Sequence, residues 1–346
     1  MNYFKFSEQE KNNLSTISQF NNHCFKIRGN HTAYDQYRFI DNPFSDKSYD
    51  FLYGVEKDDK YIAQMLTTPG ALTFNENIIP AFWGQDYIVL EEYRGGGIGK
   101  GLSDFYLKKD YYIAVGFSEK SAIIHQKMGA KKIGYLDFYE KWGSNFSKLK
   151  FIFQRGLKIK AKSTDLYTLP KSIGEFELVE SVEQIQLPNL NWNKNTIETI
   201  RNKEFLKWRF FYRKNRYFLY QSKSTNKSEN NIYFVVKPYF YKGVNWLRVI
   251  DYRYKIDKKN QFELLLNAIE KLRNELNLYG ILISSSLEKS NQILEKNNFK
   301  ITNHEVVLST YPFQYNETNN TNNFFMISFA DSDMDMHSNQ GKFNYE

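Results

Sequence analysis

Five of the 18 glycines of this chain lie within the seven residues from Gly95 to Gly101. They follow Asp86–Leu90, which has the pattern of a β-strand, and precede a helical pattern from about Ile98 to Lys108. Amides at a helix N-terminus have no intrahelical partner and attract anions, and glycine lets a phosphate approach them closely. The segment therefore predicts an α/β unit with an anion-binding loop. The alternative interpretation is a tight strand-to-helix turn.

Two other phosphate-binding motifs do not fit these residues. The Walker A motif requires Lys followed by Ser or Thr, whereas Lys100 is followed by Gly101. The dinucleotide fingerprint requires an acid at the end of the next strand, and that strand ends Val115-Gly-Phe-Ser118. The loop therefore belongs to neither motif.

Apolar periodicity predicts one succession of strands and helices around the glycines. The expected elements are a helix at Leu14–Phe25, a hairpin of Tyr49–Val55 and Tyr61–Thr67, a strand at Tyr111–Phe117, a helix at Glu119–Met128 and a strand at Lys131–Tyr139.

The second half of the chain follows a similar order. Glu204–Phe211 parallels Thr32–Phe39, and Trp246–Arg253 lines up with Tyr87–Arg94. Where the first half has its glycines, the second has Tyr252–Lys259, with no glycine at all. Further elements are expected as a helix at Gln261–Leu276, a strand at Leu278–Ser284, a helix at Leu287–Asn297 and a strand at Lys300–Ser309.

The fold class predicted from this pattern is α/β, built on a mixed α+β sheet, in two tandem domains. We place the first at 1–158 and a degenerate second at 172–346, with the junction near Lys158–Pro170. The chain has 346 residues and 41% apolar residues, enough for two cores of ordinary size.

Charge and cysteine content narrow the expected partners and location. The net charge is +8, but over the chain as a whole the basic residues are scattered among acids, so no specific nucleic-acid binding is expected. No run approaches the roughly 20 apolar residues that a membrane span requires, and the first residues are too charged for a secretory signal. With Cys24 as its single cysteine, the chain is expected in a reducing cytoplasm.

The stretch Tyr93-Arg94-x-x-Gly97-x-Gly99, with the following strand and a helix ending Lys127-Met-Gly129, resembles the Gcn5-related N-acetyltransferase (GNAT) superfamily. The resemblance implies that acetyl-CoA or another acyl-CoA is the co-substrate and that no metal is needed. It assigns the diphosphate clamp to the loop, that is, to Arg94, Gly95, Gly96, Gly97, Ile98, Gly99 and Lys100.

The same resemblance implies how the rest of the co-substrate is held. The main chain of Ile88, Val89 and Leu90 would pair with the pantetheine arm where the sheet splays, and the Val89 N–H would polarise the acyl carbonyl. Ser118 occupies the position of an asparagine that contacts the cofactor, although its alternative role is a helix N-cap.

By resemblance the amine attacks the thioester directly, so that a proton acceptor and a proton donor are required. His125, four residues before Gly129, is the candidate donor to the thiolate, as imidazolium, or else a packing residue. Asp86 is the candidate base, on one strand face with Ile88 and Leu90, or else a charge at a strand start. A water relay would need neither.

The acceptor residues are the least constrained by the sequence. Tyr34 and Arg38 lie on a segment that often shapes the acceptor pocket in the superfamily, and Trp208 could stack on a sugar or belong to the core. Asp331 and Asp333 follow the strand-like Phe324–Phe329 and would share a face toward an amino sugar, or form a polar tail. They lack the Gly and Glu of an EF-hand.

Three functions remain open at this point. The first is an acyl-CoA-dependent N-acyltransferase acting on a small amine, an amino sugar or nucleotide-linked sugar, as in the acyltransferases of bacterial surface-polysaccharide clusters that the tandem layout resembles. The second is a Fem-like aminoacyl transferase using aminoacyl-tRNA. The third is a CoA-binding module without catalysis.

Overall fold

The computed structural model of the chain describes residues 1–6, 14–26, 30–45, 52–74, 77–107, 112–116, 119–127, 129–156, 167–187, 196–212, 217–223, 231–241, 244–310 and 324–331. Within these residues a single sheet contains 15 strands. They are β1 Asn2–Lys5, β2 Leu52–Lys57, β3 Lys60–Phe74, β4 Asn77–Val89, β5 Tyr112–Val115, β6 Lys131–Trp142, β7 Ser172–Ile173, β8 Phe176–Val179, β9 Thr196–Thr199, β10 Phe218–Ser222, β11 Tyr233–Tyr241, β12 Val244–Arg253, β13 Gly280–Ser285, β14 Lys300–Ser309 and β15 Phe324–Met326.

The helices lie between these strands, and those at Thr32–Phe39, Asn145–Gly156 and Lys203–Leu206 are not among the helices predicted from the sequence. The helices are α1 Ser15–Cys24, α2 Thr32–Phe39, α3 Ile98–Leu107, α4 Glu119–Lys127, α5 Asn145–Gly156, α6 Lys203–Leu206 with a π turn at Lys207–Phe211, α7 Lys259–Glu275 and α8 Glu288–Lys296. The expected hairpin is confirmed as β2 and β3, which pair antiparallel. None of the helices in the described ranges is long and apolar enough to cross a membrane.

The strand order shows that the two halves of the chain share one sheet. It runs β1-β2-β3-β4-β5-β14-β6-β13-β12-β11-β10-β8-β7, with β9 and β15 attached beside β3. Strand β14 lies between β5 and β6, and β6 lies between β13 and β14, so each half inserts its last long strand into the other. Strands from the two sides of the predicted boundary at 158–172 are therefore paired with each other.

Helices α7 and α8 cover one face of the second half. Phe262, Leu265, Ile269 and Leu272 recur at helical spacing on α7, and all are buried against the sheet. Such burial stabilises a fold by roughly 1.5–3 kcal/mol per large apolar side chain. The opposite face packs against residues of the first half, because Tyr34 and Tyr37 on α2 join a cluster with Trp208 and Ile250.

Candidate functional site

The glycine loop connects β4 to α3 and is open on its outer side. A 3₁₀ turn at Glu91–Tyr93 comes first, so the strand does not run directly into the loop. Gly95 and Gly97 have φ of +87° and +79°, values that side chains rarely adopt, and no heavy atom lies within 4 Å of where their Cβ atoms would be. Ile98 is buried and anchors the helix start. An anion could reach the first amides of α3 from solvent.

Gly99 differs from the preceding glycines, because its Cα packs against protein. A Cβ there would overlap the Tyr87 hydroxyl, which lies against the loop from β4. The Tyr87 hydroxyl is 3.4 Å from Ser103 Oγ, and burial raises the pKa of Tyr87. Gly99 therefore serves close packing, whereas Gly95 and Gly97 leave space at the surface.

The sheet splays beside this loop. Strand β4 pairs with the parallel β5 only through Phe82 and Trp83, and then continues to Val89 paired with β3 alone. The Leu90 amide donates to Ile62 of β3 at 3.0 Å. Because successive amides alternate between the edges of a strand, the Val89 amide points toward the splay. Its carbonyl accepts a 2.9 Å hydrogen bond from Arg94 Nε.

Asp86 interrupts the regular strand with a bulge. It has φ of +45°, and the register with β3 shifts between Gln64 and Leu66, so the predicted alternation of Asp86, Ile88 and Leu90 on one face is wrong here. The side chain is only 2% exposed, and its Oδ2 lies 2.8 Å from Arg38 Nη1.

Arg38 joins Asp86 to a buried polar cluster behind the splay. It binds Asp35 at 2.6 Å and Gln85 Oε1 at 2.6 Å, and Gln85 also accepts from Thr68 at 3.0 Å. Burial opposes the charge on Arg38, but Asp86, Tyr34 and Asp35 outweigh it and raise the pKa of Arg38. Burial also raises the pKa of Asp35, against the effect of Arg38.

A recess lies between the two halves in front of this cluster. Its cavity volume is about 30 Å³, which is room for water molecules and below the size of a small-ligand pocket. The first half contributes Tyr34, Arg38, Gln85 and others, and the second half contributes Trp208, Arg209 and Asp331. Asp86 is absent from the lining.

Trp208 and Asp331 are both held by other residues. The Trp208 ring stacks on Tyr37 with centroids 4.7 Å apart, and its Nε1 donates to the Tyr37 carbonyl. Asp331 lies in a 3₁₀ turn, Phe329–Asp331, rather than in the extended backbone that the predicted alternation requires, and it pairs with Arg201 at 2.8 Å. The alternation predicted for the aspartates therefore fails at Asp331, because the strand β15 ends at Met326.

His125 is fully buried on α4. Its Nδ1 lies 2.7 Å from the Ser121 carbonyl, which requires the proton on Nδ1, so Nε2 accepts from the Tyr112 hydroxyl at 3.0 Å. Burial lowers the pKa of His125, against the effect of the Ser121 carbonyl. The neutral ring is favoured, in contrast to the imidazolium expected from the sequence.

Tyr112 was not singled out by the sequence, because an aromatic residue in a strand usually signals core. Its hydroxyl lies against Gly84, the first residue of β4 beyond the last pair with β5. The Tyr112–His125 pair therefore lies at the splay. Burial raises the pKa of Tyr112, which keeps the hydroxyl protonated.

Two other predicted residues, Ser118 and Asp333, lie outside the described residues. Cys24, half-buried at the end of α1, is close enough to Arg94 and Asp86 to feel their charge, and burial raises the pKa of its thiol. Among the residues that the structure describes, no three His, Cys, Asp or Glu side chains form a metal-binding group.

Comparison with known proteins identifies the fold. No protein-family model and no curated protein matches the sequence. Among solved structures, a GCN5-related N-acetyltransferase from Anabaena variabilis has a TM-score of 0.57 and 14% identity, covering 89% of this chain and 71% of that one. A probable N-acyltransferase from Enterococcus faecalis has the same TM-score and identity, over 90% and 72%.

N-myristoyltransferase of Saccharomyces cerevisiae with bound myristoyl-CoA is also similar, with a TM-score of 0.53 and 13% identity over 90% of this chain and 82% of that one. At these identities the likeness establishes the fold, a GNAT fold on a large mixed sheet. It does not establish which substrates the chain uses.

Proposed function

We propose that the chain is an acyl-CoA-dependent N-acyltransferase. The observation that carries the proposal is the open glycine loop lying next to a Val89 amide that faces the splay. The loop offers amides to a diphosphate, and the strand edge offers an amide to a carbonyl. Similar solved structures carry acyltransferase names, and one holds myristoyl-CoA.

In this proposal the chain binds acyl-CoA through Arg94 to Lys100, and the Val89 N–H donates to the acyl oxygen. The acceptor amine forms the new C–N bond while the C–S bond breaks. The amine loses a proton, and the CoA thiolate gains one. The protein must therefore position the amine, accept its proton and protonate the thiolate.

We propose that Asp86 accepts the proton that the amine loses, and that water in the recess carries it there. Arg38 and Gln85 separate Asp86 from the recess, so direct contact with the amine is not part of the assignment. Arg38 stabilises the ionised carboxylate in a buried position, where it would otherwise be unfavourable. Ser118 remains a proposed contact to the co-substrate.

We assign protonation of the thiolate to the Tyr112–His125 pair at the splay. The Tyr112 hydroxyl is the proton-bearing group: at rest it donates to the neutral His125 ring at 3.0 Å, it turns from Nε2 to the thiolate to deliver its proton, and the tyrosinate left behind regains a proton from water. His125 thus acts through Tyr112 and is a positioning residue, which revises the imidazolium role.

The proposed acceptor is a small amine, an amino sugar or nucleotide-linked sugar, which would bind where the recess opens to solvent. Tyr34 and Trp208 line the recess and are the aromatic side chains proposed to contact a sugar. Asp331 also lines it but already pairs with Arg201, so Asp333, outside the described residues, is the proposed contact to an ammonium group. The second half, as a degenerate copy in the tandem arrangement, would supply one wall. A reducing cytoplasm suits the single cysteine.

The binding step is tested by calorimetry with acetyl-CoA. Gly97→Trp should weaken binding at least about a hundredfold, because the side chain fills the space outside the loop. Gly174→Trp is the matched control, since Gly174 is also exposed with a left-handed φ of +56° but lies in a distant turn. Equal affinities of the two variants would refute the loop assignment.

Turnover is tested by thiol release from acetyl-CoA over a panel of amino sugars, amino acids and polyamines. Asp86→Asn should reduce kcat about a hundredfold with unchanged acetyl-CoA affinity, and Asp104→Asn, exposed on α3, should change neither. Binding without release for every acceptor would favour the CoA-binding module. Transfer only from aminoacyl-tRNA would favour the Fem-like enzyme.

A further inference from the structure

Helix α5 exposes a continuous apolar stripe that the catalytic proposal does not use. Phe146, Leu149 and Phe153 recur at the i, i+3, i+7 spacing of one helix face and are 74%, 64% and 68% exposed. Ile152, at 56% exposure, extends the stripe by one position. Single exposed apolar side chains are common, but four on one helix form a patch that requires an explanation.

The orientation of α5 is fixed by contacts on its other side. Phe151 packs against Trp142, with ring centroids 5.2 Å apart, in a cluster that includes the buried Trp246. At the helix start Gly143 donates to the Tyr279 carbonyl at 2.8 Å, and Ser147 N donates to Ser144 Oγ at 3.0 Å. Because one apolar side chain already holds the helix to the sheet, the exposed stripe faces outward.

The charge on this segment indicates the chemistry of a partner. Helix α5 contains Lys148, Lys150 and Arg155 and no acid. From Lys141 through Thr164 the sequence has seven cations and no acid, although the whole chain has 39 acidic residues. Exposed Phe and Leu on one face together with Lys and Arg are typical of helices that lie in the interface of an anionic bilayer.

A second copy of the chain fits this surface less well. Two α5 helices packed together would bring their cations close to one another without acids to compensate. A bilayer with anionic lipid offers both an apolar interior and negative headgroups over a flat surface.

We propose that α5 binds the surface of an anionic lipid bilayer, with Phe146, Leu149, Ile152 and Phe153 at the boundary between headgroups and acyl chains. The helix lies on the membrane and does not span it, in agreement with its 12 residues. This proposal is independent of the acyl transfer, because it involves no residue of the loop, splay or recess.

Vesicle flotation with the full chain tests the proposal. Vesicles of phosphatidylcholine with phosphatidylglycerol should carry the protein, and vesicles of phosphatidylcholine alone should carry at least about tenfold less. Phe146→Ser/Leu149→Ser/Phe153→Ser should reduce binding to the anionic vesicles by at least about tenfold. Lys148→Glu should reduce it by a smaller factor, and molar salt should do the same to the wild type.

The matched control is Ile78→Ser/Ile301→Ser, which removes apolar side chains that are 55% and 50% exposed on strands. It should bind vesicles like the wild type, and thermal unfolding should show that both multiple variants remain folded. Equal binding to neutral vesicles, or full binding by the triple variant, would overturn the proposal. So would a dimer in light scattering that the triple variant converts to a monomer without a change in vesicle binding.

Discussion

The two strand-to-helix junctions of the sheet, β4–α3 and β12–α7, have similar surroundings and opposite surfaces. In each, the strand pairs with its parallel neighbour through only two residues before diverging. The first junction is exposed, with left-handed glycines. In the second, the Tyr252 hydroxyl donates to the Ser284 carbonyl at 3.2 Å, and the Tyr254 hydroxyl lies 2.6 Å from Ser290 Oγ.

A splay between two strands is therefore not sufficient to make a binding site. Tyr254 stacks on Phe262 of α7 with centroids 4.7 Å apart, and burial raises the pKa of Tyr254 to about 12. Aromatic side chains therefore close the second junction and turn it into core. Only at the first junction is the backbone at a helix start left accessible to an anion.

Substitutions of the equivalent arginines should distinguish the two junctions most strongly. Arg253 is buried and pairs with Glu198 at 2.7 Å, so Arg253→Met should lower the free energy of unfolding by roughly 3–5 kcal/mol by leaving a buried acid without that partner. Arg94→Met, at an exposed site, should cost less than about 1 kcal/mol and should weaken acetyl-CoA binding about tenfold or more. Urea titration measures the free energy of unfolding of both variants, and calorimetry measures their affinity for acetyl-CoA. A reversed pattern would contradict the comparison.

The Arg253 effect should depend on pH with a defined sign. Burial raises the pKa of Glu198, and Arg253 opposes this, so the variant raises the pKa further. The folded state of the variant then holds a proton that the unfolded state releases above about pH 4.5. The wild type also holds this proton above pH 4.5, because its Glu198 pKa is already raised, so the deficit of the variant relative to the wild type should grow only as pH rises above the wild-type folded pKa. Glu198→Gln in the same chain should abolish the trend, and a deficit independent of pH would argue against the ion pair.

The next effect concerns the tyrosines that precede these arginines. Tyr252→Phe leaves the buried Ser284 carbonyl without its donor, so we expect a loss of about 1–3 kcal/mol in the free energy of unfolding. Tyr93→Phe, at the half-exposed equivalent in the first junction, should change stability by less than about 0.5 kcal/mol. Equal losses would show that both junctions are packed alike.

The smallest effect concerns His125 beside the first splay. Because the folded pKa is lowered by burial below its ordinary value of 6.5, the unfolded state binds more protons near that pH. The free energy of unfolding of the wild type should therefore decline as pH falls through 6.5, and that of the His125→Gln variant should decline less. The transfer rate should not rise over the same interval. A rate that rises on acidification and needs His125 would restore the imidazolium role.

The sequence predicts the local features of this molecule well. The glycine loop, the paired hairpin and the helices α3, α4, α7 and α8 follow from periodicity and glycine position, which depend on neighbouring residues only. The resemblance to GNAT enzymes rested on the same short stretch, and the fold agrees with it.

Features that depend on distant residues were not predictable from the sequence. The bulge at Asp86 arises from its register with β3, and the exchange of β6 and β14 depends on strands far apart in sequence. The burial of His125 against Tyr112 and the placement of Asp331 beside Arg201 are likewise tertiary contacts. Each changed the chemistry expected of a predicted site residue.

Hydrogen–deuterium exchange with and without acetyl-CoA compares ligand binding at both junctions in one experiment. We predict that the ligand slows exchange of the amides from Arg94 to Lys100 and of Val89, and leaves those from Tyr252 to Lys259 unchanged. Slowed exchange confined to the second junction, or no change at either, would contradict the account.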